Sequence, residues 1–325
     1  MANDTLPRAG RAGRLLASFQ SAKGTAVSDF TAAARVWTED FALHALKEKT
    51  RPGPWMTELF AEHADSRHSY KGPNRHRLTA QATYQLLDLL LRSNWGPGVA
   101  YTLRSQVATT DWLSLGWVEN VASGATENLV RSWNAWCHRL ALKVEGTGYC
   151  HVEAEFASEK VDDAVALNAL GGITLPAAPM TPTDQNVFTG RDTTLTRDPL
   201  GAAVALRFHE LTLTLDQRLV HDWDQMQQVY DVYKGGKTEV LLEVRGRLGD
   251  ETWELLKKNR AGTKQRYRLV STAPAPARTL TVNLYEVDFH KVDEVGHDGQ
   301  GGTLFRALGR AHRDDSGNFV SITLT

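Results

Sequence analysis

Few residues in this chain stand at spacings that could do chemistry. Gly235-Gly236-Lys237-Thr238 resembles the end of a phosphate loop, but the first glycine of that motif would fall on Asp231, and a strand-like run follows where a helix must begin. Eleven histidines occur without an HExxH or a paired CxxC, and the spacing of His63 and His68 suits neither one helical face nor a tight loop site. No GxSxG elbow offers a serine nucleophile. Glu153 and Glu155 share one face of an alternating run, as glycosidase acids do, yet such alternation is also the mark of a solvated strand face. The two cysteines, Cys137 and Cys150, flank a Gly146-Thr147-Gly148 turn that sets Cys150 opposite residue 143 or 144. Cys137 then lies roughly 20 Å along the strand, beyond the reach of a disulfide, so both are expected as buried free thiols. The search yields no catalytic residue, no cofactor-binding residue and no metal ligand, and the chain is read as a non-enzyme.

The elements that would position these residues are mostly strands. Alternating runs occupy Val99 to Val107, Trp112 to Val118, Trp133 to Val144 and Cys150 to Phe156 in the first half. In the second half they occupy Ala203 to Leu215, Thr238 to Leu248, Tyr267 to Ser271, Leu280 to Val292, Leu304 to His312 and Phe319 to Leu324. Two helices stand out. Thr79 caps a leucine-rich segment, Ala80 to Arg92, and Asp250 caps a short one in which Trp253, Leu255 and Leu256 form the apolar stripe, with Lys257 and Lys258 near the C-terminal end and Gly262 as stop. Between Lys49 and Asn74, Pro52, Gly53, Pro54, Gly72 and Pro73 mark a long excursion around a helical turn.

The 325 residues carry 37 Lys plus Arg against 38 Asp plus Glu, so no bulk positive field exists to hold nucleic acid by counterion release. No apolar run is long enough for a spanning helix, and the N-terminus lacks the pattern of a secretory signal, which points to an intracellular product. The fold class expected is mainly β with some α, divided into an N-terminal arm over 1–30, a first β domain over 31–166, a linker or extended loop over 167–200, and a second β domain over 201–325. Each domain is a sandwich or barrel flanked by a short helix. An internal echo supports the division: CHRLALKVEGTGYCHVEAEF (137–156) is matched by FHELTLTL (208–215) with GGKTEVLLEV (235–244). A histidine precedes alternating leucines in both, and Val152, Ala154 and Phe156 correspond to Val240, Leu242 and Val244. Nine tryptophans would anchor cores or a subunit interface.

The order of elements, with FHELTLTLD, GGKTEVLLEVRG, the DETWELLKK helix, TLTVNLYEVDFHKV and the closing LFRALGRAHRDDSGNFVSITLT, resembles a phage tail tube protein of the long-tailed siphovirus type with two fused tube domains. The resemblance implies a structural virion protein that polymerises as stacked rings, with three chains supplying six places, around a conduit for DNA ejection. It implies self-association, contacts with tape-measure, tail-terminator and tail-tip proteins, only transient contact with DNA, no membrane, and residence in the virion tail after synthesis in the host cytoplasm. On this reading Glu153, Glu155 and Glu243 face the lumen, and the arm over 1–30 or the excursion over 49–74 orders only against a neighbouring ring. Two other readings remain open: another ring-forming piece of an injection machine, and a monomeric carbohydrate-binding or hydrolase β-sandwich.

Overall fold

The computed structural model describes residues 13–31, 34–37, 40–41, 44–47, 68–77, 90, 100–102, 112–120, 127–162, 173–174, 187–198, 200–201, 203–223, 229–234, 238–247, 249–273, 278–297 and 302–325. The fold is mainly β and antiparallel. The first half holds β1 (Gly13–Phe19), β2 (Ala34–Trp37), β3 (Asp40–Phe41), β4 (His44–Lys47), β5 (His68–Arg77), β6 (Ala100–Thr102), β7 (Leu113–Asn120), β8 (Glu127–Glu145) and β9 (His151–Asp162). The second half holds β10 (Thr193–Arg197), β11 (Val204–Leu206), β12 (Glu210–Asp216), β13 (Leu219–Trp223), β14 (Val229–Lys234), β15 (Glu239–Arg247), helix α1 (Asp250–Arg260), β16 (Gln265–Ala273), β17 (Arg278–His297), β18 (Thr303–His312) and β19 (Val320–Leu324). Seventeen of these strands join one sheet, and β13 with β14 forms a separate hairpin that no sequence pattern announced.

Strict alternation writes most of these strands. In β15 Val240, Leu242 and Val244 are buried while Glu239, Leu241 and Glu243 are not, and β16, β18 and β19 repeat the pattern. One hydrophobic cluster takes in residues of both halves, from Ala17 and Leu113 to Ile322 and Leu324, with Leu255 of α1 included. Its main seam is β8 against β12, where Leu140 meets Leu215, Leu142 meets Leu213 and Val144 meets Leu211. Across this seam the sheet is continuous, in the order β3 and β4, β5, β9, β8, β12, β15, β18, β17.

The pairings reveal a duplication. β1 pairs with β2 and β7, β7 with β8, β8 with β9, β9 with β5, and β5 with β3 and β4. The same circuit recurs as β10 with β11 and β16, β16 with β17, β17 with β18, β18 with β15, and β15 with β12. Registers agree along most of these pairings, with one added bulge, between Glu294 and Gly296, in β17–β18. Leu113 opposite Ala135 and Leu115 opposite Ser132, with a bulge between, become Gln265 opposite Val287 and Tyr267 opposite Leu284, again with a bulge between, at a constant shift of 152 residues (113 to 265, 135 to 287). Asp40 opposite Arg75 and His44 opposite Lys71 become Glu210 opposite Arg245 and Thr214 opposite Leu241, a shift of 170 (40 to 210, 75 to 245). His138 is the extra residue of the β8–β9 bulge, and His290 is its counterpart in β17–β18.

This corrects the internal echo. The equivalent of β8–β9 is β17–β18, whereas β12, matched to β8 in the sequence, is the strand that pairs with it. Neighbouring strands of one sheet bury the same face, so register partners look alike without being repeats.

Other expectations shift as well. The arm expected over 1–30 includes β1, where Leu16 is fully buried, and its exit is latched to β8: the Asn134 N–H donates to Gln20 Oε1 at 2.8 Å, and the Gly24 N–H donates to Asn134 Oδ1 at 2.8 Å. Phe30 is also fully buried, so this part of the expected arm packs against the chain itself. The linker expected over 167–200 contains β10 and the buried Phe188 and Leu195. The excursion expected over 49–74 ends in β5, and its residues 49–67 lie outside the described residues. The leucine helix also falls there, apart from Leu90, which is helical and buried. Helix α1 is capped by Gly249, whose N–H donates to Thr252 Oγ1 at 2.6 Å; Asp250 is its first residue. Its buried stripe runs through Thr252 and Leu255, and Trp253 is 45% exposed. Lys257 and Lys258 do stand in the last turn, and Gly262 with φ +61° ends the helix. Cys137 and Cys150 are free and buried, with Lys143 opposite His151 as the turn requires.

Candidate functional site

The strands β9, β8, β12, β15, β18 and β17 present their second face away from the core. Glu153 and Glu155 of β9 alternate with Val152, Ala154 and Phe156, and Glu243 of β15 alternates with Leu242 and Val244, so all three glutamates stand on this face. They are not bare. Lys143 Nζ lies 2.7 Å from Glu153, Arg139 bridges Glu155, and Glu243 accepts from Arg245 Nε at 2.8 Å and Arg306 Nε at 2.7 Å. Further along, Arg310 reaches Glu239 at 2.7 Å, Arg218 bridges the same carboxylate, and Lys264 meets Glu286 at 3.0 Å. The three carboxylates expected to face a lumen thus belong to a lattice of compensated pairs.

Register explains the lattice. Lys143 stands opposite Thr212, Thr212 opposite Glu243, and Glu243 opposite Leu308, so one transverse row crosses four strands. The next row runs from Glu145 through Glu210 and Arg245 to Arg306. Opposite charges on facing or diagonal positions of adjacent strands attract, and side chains on one face can reach them. Between these rows lies an open cleft of about 420 Å³ bordered by Arg139, Lys143, Thr212, Glu243, Arg245 and Leu308, centred on the seam between the two halves.

The pairs shift the titration of their acids. A hydrogen bond with His138, whose Nε2 lies 3.3 Å away, is the main influence on Glu155; together with Arg139 it outweighs burial and pulls the carboxyl down from 4.5 to about 2. Burial pushes Glu243 upward, and hydrogen bonds from Arg306 and Arg245 overcome it, leaving the carboxyl below its usual value. Because the Glu155 value is lowered on folding, its contribution to stability is present above about 4.5 and is lost as pH falls through about 2. Thermal unfolding followed across that window should show a steeper acid loss for the native chain than for Glu155→Gln, which lacks the titrating group. Equal slopes would mean that the pair adds nothing to stability.

Sequence reasoning placed Glu153, Glu155 and Glu243 on one face through alternation, but missed Arg139, Lys143, Arg245 and Arg306 as their partners. A signal existed: Arg139 and Lys143 have the same strand phase, and the hairpin turn sets them beside Glu155 and Glu153. The phosphate-loop reading gains nothing, since Thr238 leads directly into β15 where a helix would be needed. His63 lies outside the described residues. Among the described residues no helix is long and apolar enough to cross a membrane. A scan against protein-family models finds no match, and a search of curated proteins finds none either.

Proposed function

We propose that this chain is a structural subunit of a phage-type tail tube, building stacked rings, three chains to six equivalent places, around a conduit for DNA. The observation that carries this reading is the duplication: two copies of one β unit joined edge to edge in a continuous sheet, one face of which is core and the other polar. A chain of two like units laid side by side is suited to a symmetric assembly in which each unit fills one place. The polar face then lines the conduit. Its cations are already committed to carboxylates, as Arg306 and Arg245 are to Glu243, so a passing phosphate finds few unpaired partners and slides rather than binds. Tape-measure, terminator and tip proteins are the further partners on this reading, in the virion tail.

The sugar-binding alternative asks for exposed aromatics gathered in one cleft. Tyr149, at the β8–β9 turn, and Trp253, on α1, are exposed on separate elements, and the cleft at the seam is bordered largely by charged and hydroxyl groups. Negative-stain microscopy of the purified chain over a range of concentrations tests the proposal. Rings or tubes are expected; particles that stay monomeric at high concentration would overturn it.

A further inference from the structure

The duplication gives each core position of one half a counterpart in the other, and at one place the two differ in kind. In the first half Ala17 of β1 faces Leu115 of β7, with Leu113 two residues away, and all three are 2% exposed or less. The shift of 152 that carries β7 onto β16 takes Leu113 to Gln265 and Leu115 to Tyr267, and the residue facing Tyr267 is Arg197 of β10. Three apolar side chains are thus replaced by a guanidinium, an amide and a phenol. Thr193 and Leu195, in phase with Arg197 along β10, are buried, so alternation turns the guanidinium inward.

The cluster is bonded everywhere except at the cation. The Tyr267 hydroxyl donates to Gln265 Oε1 at 3.2 Å, and Gln265 Nε2 donates to Asp198 Oδ2 at 3.1 Å. That same Asp198 oxygen stands 3.8 Å from Arg197 Nε, too far for a hydrogen bond. Among the described residues Arg197 is the one guanidinium with buried nitrogens, Nε and Nη1, that hydrogen bond to nothing. Unpaired buried donors on a charged group cost stability, and the apolar first half shows that the fold does not require them. The side chain is 12% exposed, so it borders solvent.

Two of the three large apolar side chains exposed among the described residues lie on the elements beside it. Leu200, 71% exposed, is on the turn leaving β10, where the Gly201 N–H donates to the Asp198 carbonyl at 3.0 Å. Trp253, 45% exposed, is on α1 next to Glu254, whose carboxyl is held below its usual value by Lys257 and also by the charge of Arg197. Helix α1 covers the core through Leu255, so this spot is away from the face that carries the glutamate lattice.

We propose that Arg197, Leu200 and Trp253 form a docking site for a partner protein, which presents a segment with an aspartate or glutamate next to an apolar side chain. The carboxylate supplies the charge-assisted hydrogen bonds that the guanidinium lacks, and the apolar neighbour covers Leu200 and Trp253. Because the first half has Ala17 at the matching place, each chain offers one site, and a ring of three chains would hold three partners on its six β units. The site lies within a single chain and does not depend on ring formation.

Selection of yeast-displayed random heptapeptides with the labelled full chain tests this, with the Arg197→Met chain as the control. Recovered peptides should pair an acid with an adjacent apolar residue. Their affinity should fall at least about tenfold when that acid is changed to its amide, when Arg197→Met replaces the native chain, and when Trp253→Ala does. Arg197→Met should itself unfold at a urea midpoint no lower than the native one, since it removes an unpaired charge and places an apolar side chain where the first half has one. A lower midpoint would make Arg197 structural and overturn the proposal. So would a selection that enriches nothing, peptides without acids, or peptides that bind both chains alike. Acetate competing as strongly as the peptides would reduce the site to one for free anions and overturn the docking. Recovered sequences that copy a segment of this chain, together with Arg197-dependent dimers in sedimentation, would make the occupant a second copy and overturn the choice of a foreign partner.

Discussion

Gly309→Phe should unfold the second half, and adding Phe289→Cys and Val287→Ala should restore it. In the first half Phe156 of β9 stands opposite Cys137 of β8, with Ala135 nearby on the same strand. At the matching place in the second half the bulk has changed sides: Phe289 of β17 stands opposite Gly309 of β18, with Val287 in the Ala135 position. A Cβ on Gly309 would lie 2.6 Å from Val287 Cγ1 and 3.0 Å from Phe289 Cε1, so even alanine requires movement of packed side chains. A whole phenyl ring there should cost more than about 3 kcal/mol, the upper end of ordinary overpacking. The triple variant reproduces the first half's solution, and its stability should return to within about 1.5 kcal/mol of the native value, as volume-conserving exchanges do. Chemical denaturation of the single and triple variants reads the difference. A triple variant no more stable than Gly309→Phe would show that the two halves do not pack by interchangeable rules.

The other large effect belongs to the seam. Leu213 is fully buried in β12, flanked in register by Leu142 on one side and Leu242 on the other. Leu213→Ala should cost about 2–5 kcal/mol through lost contacts and the cavity left behind. Leu213→Asp places an unpaired carboxylate in that position and should exceed much of a typical margin of about 5–15 kcal/mol. Loss should reach the first half too, because β12 covers Leu140, Leu142 and Val144. Trp112 and Trp136, buried edge-to-face at 5.8 Å in the first half, are the reporters: their emission should shift red in Leu213→Asp. If it stays native while the second half unfolds, the halves are independent and the seam is only a contact.

Strands were legible wherever one face is core and the other polar, as in ELTLTLD and EVLLEVRGR, because a period of two is imposed by the backbone itself. Partners were not, because the same period serves any neighbour. A duplication was read, but with the wrong strands matched, for a related reason: equivalent places hold different residues in the same role, Ala135 and Val287, Cys137 and Phe289, Phe156 and Gly309, so what persists is register and bulge position. β1 was hidden because its GRLLASF run sits among Ala, Gly, Ser and Arg and takes its order from β2 and β7 on either side. The three glutamates were placed on one face by alternation alone, while their cations come from β8, β18 and β15 and needed the sheet order. The Gly249 cap was missed since the acidic residue beside it, Asp250, is the commoner choice.

The peptide link across the β8–β12 seam also fixes supply. Two units encoded in one chain are always made in equal number, so in the proposed ring neither needs to recognise a copy of itself. Each is then at liberty to drift in its own core, as the exchanged phenylalanine and glycine record, provided that its two edges still fit the other unit. In the ring proposed above, one junction in every two forms within a single molecule, where the partner's effective concentration is set by the connecting chain rather than by how much protein the cell holds. Regulation of growth in that ring has to act only on the remaining, intermolecular junction.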